Sequence, residues 1–158
     1  MSYNSLLSFG DLIPLKIKCD VNRLFNEVKD FTYSQYNPRK DISRYGLSIT
    51  SLDGKLGGVD LDSIKEYNKE NNTNYDELSF KEFTDVYFAS KEIQKVCHPF
   101  LGHIGRSHIL HLDEGGFFPP HRDLPVYVEQ QNSLRILVPL KGCNPPELYF
   151  MYEDKPLH

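Results

Sequence analysis

A chain of 158 residues with 39% hydrophobic, 25% charged and 13% aromatic content can bury a core as one domain, which excludes collagen-like and intrinsically disordered classes. A formal charge of −4 offers no broad basic field for phosphate neutralisation, so general nucleic-acid binding is disfavoured, and no apolar run approaches the roughly 20 residues that cross a bilayer. The N-terminus lacks a signal-peptide pattern, and Cys19, Cys97 and Cys143 show no CxxC spacing; the expectation is a cytoplasmic protein with reduced thiols and neither a disulfide framework nor structural zinc.

Along the chain, residues 12–19 alternate apolar and charged towards their end, as a half-buried strand does, and Asp20 offers an N-cap. Val21, Leu24, Phe25, Val28 and Phe31 then fall at helical spacing, predicting an amphipathic helix over 21–31. Residues 36–39 read as a turn, and 45–52 as a strand that points Leu47 and Ile49 inward and closes on Asp53-Gly54. The Gly-, Asn- and charge-rich stretch 55–80 reads as a surface excursion with a short helical possibility from Leu61 to Asn68. Phe80, Phe83, Val86, Tyr87, Ile93 and Val96 suggest one or two helices ending at Pro99. Strand patterns follow at 107–112, 120–126, 134–140 and 147–152.

The most informative stretch is His111 to Asp123, where Gly115-Gly116 and Pro119-Pro120 punctuate the chain just before His121-Arg122-Asp123. Residues i and i+2 of a strand share a face, so an imidazole at 121 and a carboxylate at 123 could grip one metal ion. One His and one carboxylate are two thirds of the facial triad that holds non-haem iron(II) with positions left open. The bland alternative is a solvent-facing ion pair on a turn.

Residues 110–123, followed by Ser133-Leu-Arg-Ile-Leu-Val-Pro-Leu140, resemble the core of the iron(II)/2-oxoglutarate-dependent oxygenases, most closely the aspartyl/asparaginyl hydroxylase-like branch. The resemblance covers about residues 107–152. It implies that His121 and Asp123 bind Fe(II) and that Arg135 helps hold a carboxylate of the cosubstrate 2-oxoglutarate, with O2 as second cosubstrate. Physics favours an inward Arg135 independently. A guanidinium between Leu134 and Ile136 in an apolar strand is costly to bury without an anion, and its planar fork suits a carboxylate; the alternative points it to solvent. Lys141 is a weaker candidate for the same role.

In that family the distal His ligand lies on later strands. Here His158 is the only histidine after the pair, so the chain is expected either to be a short form of a longer oxygenase or to use His158 as third metal ligand. His108 and His111, on opposite faces of a strand, and His98 and His103, beside a turn, are left out of the site. Phe117, Phe118 and Tyr127 could line a substrate pocket or be ordinary core.

The expectation is an α+β, mainly β, single domain over 1–158. Residues 1–100 would form a helical and strand support region, and 101–158 a double-stranded β-helix (jelly roll) with the N-terminal helices packed on it. Its implied activity is that of a 2-oxoglutarate-dependent dioxygenase hydroxylating an amino-acid side chain of a protein, a free amino acid or another small substrate. The competing expectation is a non-catalytic binding or structural module with an incomplete iron site.

Overall fold

The computed structural model describes residues 15–36, 41–58, 61, 63–118, 135–143, 146, 150–152 and 155–157. Asp20 caps the first helix, α1 (Val21–Val28), its carboxylate accepting from the Arg23 N–H, and the helix buries Leu24 and Val28. Of residues 12–19, expected as a strand, 15–19 carry no regular structure and 12–14 lie outside the described residues. Strands β1 (Ser34–Gln35) and β2 (Arg44–Ser48) follow, and Ile49 separates β2 from a short β3 (Thr50–Ser51). The stretch expected as one strand over 45–52 is therefore divided between two sheets.

Ser63 caps α2 (Ile64–Asn71), and Asn72 ends it in the left-handed conformation that Asn tolerates better than most residues. The stretch 55–80 is more than a surface excursion, because Leu61, Ile64 and Phe80 are all buried. β4 (Glu82–Phe83) leads into two short helices, α3 (Asp85–Ala89) and α4 (Lys91–Cys97), split at Ser90, which leaves the helical region and caps α4. A 3-10 turn at His98–Phe100 accommodates Pro99 near its start, and another lies at Glu77–Ser79. β5 (His108–Leu112), β6 (Phe150–Tyr152) and β7 (Lys155–Leu157) complete the elements.

The sheets are small and antiparallel: a three-stranded sheet in the order β1-β2-β5, and the pairs β3-β4 and β6-β7. In the largest, Arg44 faces Leu112, Gly46 faces Leu110 and Ser48 faces His108 across the β2–β5 ladder. Opposed residues share a face, so Leu47 and Ile109 project to the other side. There they join Leu24 and Val28 of α1, Val86 of α3, and Ile93 and Cys97 of α4 in one apolar cluster. Helices thus back one side of the sheet.

This mixed α/β arrangement overturns the expectation of a jelly roll: among the described residues no sheet closes and none has more than three strands. The decisive segment is 134–140. Its described part, 135–140, forms no strand, and Ile136, Leu137 and Val138 are exposed, Leu137 by 62%. Alternation marks which residues can share a face, but a strand also needs a neighbour for its backbone groups. No such neighbour pairs with 135–140 among the described residues. Strand patterns were also expected at 120–126 and 147–152. The first lies outside the described residues, and in the second β6 starts at Phe150, residues 147–149 being outside them. No helix among the described residues is long and apolar enough to cross a membrane.

Candidate functional site

The face of the three-stranded sheet turned away from the helices has an unusual composition. Arg44, Gly46 and Ser48 of β2 stand beside Leu112, Leu110 and His108 of β5, with Ser34 and Tyr36 at the β1 side. A Cβ at Gly46 would lie 2.5 Å from Leu61 Cδ2 and 3.3 Å from Tyr36 Cδ2, so the absence of a side chain lets Leu61 and Tyr36 settle onto the sheet. Both hydroxyl- and charge-bearing side chains of β2 on this face are buried: Arg44 is 2% exposed and Ser48 is fully enclosed.

Arg44 donates from Nη1 to the carbonyl of Phe117 at 3.3 Å, and its guanidinium carbon lies 4.5 Å from the Phe118 ring centroid and 5.6 Å from that of Tyr36. Tyr36 in turn lies 5.3 Å from the His108 ring and 5.6 Å from that of Phe118. These four side chains form one group around Tyr36. Buried atoms on the same face lack hydrogen-bond partners: Arg44 Nε, Ser48 Oγ and His108 Nδ1, with only Ser51 Oγ elsewhere among the described residues. Such atoms cost roughly 1–3 kcal/mol each, so their clustering on one face asks for an explanation.

His108 is half-buried by area, but the enclosure of its ring pushes the imidazole pKa down to about 3, helped by the positive charges of Arg106 and Arg135. It is therefore neutral at physiological pH. Arg106 pairs with Glu77 at 3.6 Å. Elsewhere burial pushes the Cys97 thiol up to about 11 and raises that of Cys19, which makes both poor nucleophiles, and all three cysteines are free.

The residues singled out in the sequence are distributed as follows. His121, Asp123, Tyr127 and His158 lie outside the described residues. Arg135 is exposed in a segment without strand structure, and its charge is felt at His108; the alternation on which its inward direction rested is absent there. Lys141 stands with Nζ 4.6 Å from the ring centroid of Phe25 on α1, on the helix side of the molecule. Phe117 is exposed, while Phe118 packs on Arg44 and Tyr36.

The chain enters the His121 region through a tightly held turn. The Asp113 N–H donates to the Ser43 carbonyl at 3.0 Å and the Gly116 N–H to the Asp113 carbonyl at 2.8 Å. Gly115 takes φ +77°, and a Cβ on Gly116 would lie 2.2 Å from the Ser43 oxygen, so the turn requires glycine at both positions. Just before it, His111 and Asp113 have the same one-residue separation as His121 and Asp123 and meet at 3.1 Å between Nε2 and Oδ1. No group of three metal-ligating side chains occurs among the described residues.

Arg44, Ser48 and His108 were not legible as a site in the sequence. The alternation of β2 reads as an apolar inner side, Leu47 and Ile49, against a polar outer side, and the structure buries both. A signal was present nonetheless: an arginine, a glycine and a serine in one row, with a histidine in the neighbouring strand. No family model matches this chain, and comparison with curated proteins and with solved structures likewise finds no match.

Proposed function

We propose that the protein is an iron(II)- and 2-oxoglutarate-dependent oxygenase acting on an amino-acid side chain or another small substrate. The observation that carries this reading is the His121-Arg122-Asp123 sequence, separated by four residues from a glycine turn that follows β5 and is anchored to Ser43. Support comes from the His111/Asp113 pair, in which the same separation brings an imidazole and a carboxylate within 3.1 Å. Donor chemistry fits the metal: an imidazole and a carboxylate are the ligand types of non-haem iron(II) sites, and His158 would be the third donor. Iron(II), when bound, supplies oxygen activation coupled to decarboxylation of 2-oxoglutarate to succinate.

The chain's own residues hold and orient. His121 must be neutral and Asp123 ionised to ligate, so metal affinity falls as pH drops. Arg135, always charged, would steady a 2-oxoglutarate carboxylate. The test titrates iron(II) and 2-oxoglutarate anaerobically into the full chain, watching for a visible charge-transfer band, and then admits oxygen and measures succinate. The band and succinate are expected in the wild type, and His121→Ala should remove both. Arg135→Ala should weaken 2-oxoglutarate far more than iron. A folded wild-type protein that binds no iron would end this reading. A non-catalytic binding module is the second reading, favoured because no sheet closes around a set of metal-ligating side chains among the described residues.

A further inference from the structure

We propose that Glu27 and Glu92 form an acid-released clasp, which lets α1 swing off the core while the three-stranded sheet stays folded. The clasp is reciprocal. Glu27 of α1 accepts at Oε2 from the Ser90 hydroxyl at 2.6 Å and from the Glu92 N–H at 3.2 Å, both at the start of α4. Glu92 of α4 accepts at Oε2 from the Asp20 N–H at 3.1 Å, at the start of α1, and its Oε1 lies 2.6 Å from Lys95 Nζ and 3.8 Å from Arg23 Nε. Among the described residues, every hydrogen bond and ion pair from α1 and its cap to another element ends on one of these two carboxylates.

Protonation sets each of them against its neighbours. A carboxylate offers only acceptors, whereas a carboxylic acid carries a donor into a set of N–H, O–H and ammonium donors. Glu92 is 1% exposed, so water has little access to take over those contacts. Hydrogen bonding from Lys95, and then from the Asp20 N–H, holds the Glu92 carboxyl below its usual 4.5 against the effect of burial, as Ser90 does for Glu27. The charged and titratable groups around the pair are Cys19, Asp20 and Arg23 on the α1 side and Lys95 on the α4 side. Asp85 of α3, Lys91 of α4 and His98 beyond it form no ion pair with either glutamate. The stability given by the clasp is therefore complete above pH 4.5 and lost as pH falls through the two lowered values.

The helix is a separable piece. It supplies two of the seven buried side chains of the core cluster, Leu24 and Val28, and residues 15–20 before it carry no regular structure. The ladders that join β1, β2 and β5 involve neither glutamate, so their bonds survive its departure. Cys97 of α4 lies in the same cluster and is 5% exposed, so loss of α1 opens its thiol to a reagent.

The full chain would be labelled between pH 7 and pH 3 with a pyridyl disulfide, which reacts in acid, each rate being divided by that of the same thiol in urea. Mass spectrometry separates label on Cys97 from label on Cys19 and Cys143. Opening at Cys97 is expected to rise below pH 4.5, with a ceiling of roughly 100-fold per pH unit for two protons, while amides of the β2–β5 ladder keep their protection from hydrogen exchange. Glu27→Gln and Glu92→Gln should each raise opening at pH 7 and lower that ceiling to about 10-fold, and the double variant should flatten the profile. The proposal is overturned if wild-type labelling is flat over this interval, or if either glutamine variant keeps the wild-type slope. It is equally overturned if Cys97 and the ladder amides report one common opening, which is global unfolding. Should Glu92→Gln fail to fold, the wild-type profile and Glu27→Gln decide.

Discussion

Ser90→Ala tests how the helical layer is fastened behind the sheet. The Ser90 hydroxyl accepts from the Ile93 N–H at 3.1 Å, capping α4, and donates to Glu27 Oε2 at 2.6 Å, tying α4 to α1. Loss of a serine cap costs about 1 kcal/mol, and a hydrogen bond to a charged acceptor contributes roughly 1.5–3 kcal/mol. Glu27 keeps the Arg23 Nε–H at 3.0 Å and the Glu92 N–H at 3.2 Å, which favours the lower part of the range. The expected loss is about 2–3 kcal/mol, a shift of roughly 1–2 M in the urea midpoint.

A pH signature accompanies that loss. Hydrogen bonding from Ser90 is the largest influence holding the Glu27 carboxyl below its usual 4.5, followed by the opposing effect of burial and then by the Glu92 N–H and Arg23. A folded-state pKa depressed in this way adds stability that is fully present above 4.5 and is lost as pH falls through the lower folded value. Urea unfolding between pH 7 and pH 3 should therefore show a shallower acid limb for Ser90→Ala than for wild type. A loss under about 0.5 kcal/mol at pH 7 with an unchanged acid limb would refute the role given to this hydroxyl.

Two further outcomes concern the sheet's other side and the turn. His108→Phe keeps a ring against Tyr36 and removes a group whose folded pKa is depressed from 6.5 to about 3. The stability it confers is present above pH 6.5 and declines as pH falls towards 3, so the variant should lose less stability than wild type from pH 7 to pH 5; parallel curves in that interval would contradict the enclosure of this ring. Gly116→Ala forces a methyl to within 2.2 Å of the Ser43 oxygen and 2.9 Å of the Asp113 oxygen, backbone atoms that no rotamer change can move. A cost of about 1–3 kcal/mol in urea unfolding is expected, together with a shifted Arg44 Nε–H signal because Phe117 and Phe118 follow directly; wild-type stability would remove the argument for a fixed turn.

Local patterns in the sequence carried the helix from Val21, its Asp20 cap, the helical region before Pro99 and the strand at His108–Leu112. Each rests on neighbours a few residues apart. The failures were non-local. Leu134–Leu140 has strand alternation, yet its described residues find no ladder, because pairing depends on chain segments far away in sequence. The same limit hid Arg44: nothing within a few residues reveals that Leu61, Tyr36 and Phe118 cover the side of β2 that its composition assigns to water.

The alternation of β2 sends its residues by turns to the helix-backed side and to the side covered by Leu61, Tyr36 and Phe118. Odd-numbered Leu47, with Ile109 of β5, answers to volume: deletion to alanine at a fully buried leucine costs about 2–5 kcal/mol, and the effect would register as protein abundance. Even-numbered Arg44 and Ser48, with His108 across the ladder, answer to hydrogen bonding, while Gly46 behaves as a volume position because Leu61 occupies its space. A saturation scan of residues 44–48 scored for abundance would set Gly46 and Leu47 apart as the positions where side-chain volume decides, and an even tolerance over all five positions would show that the two sides share one task.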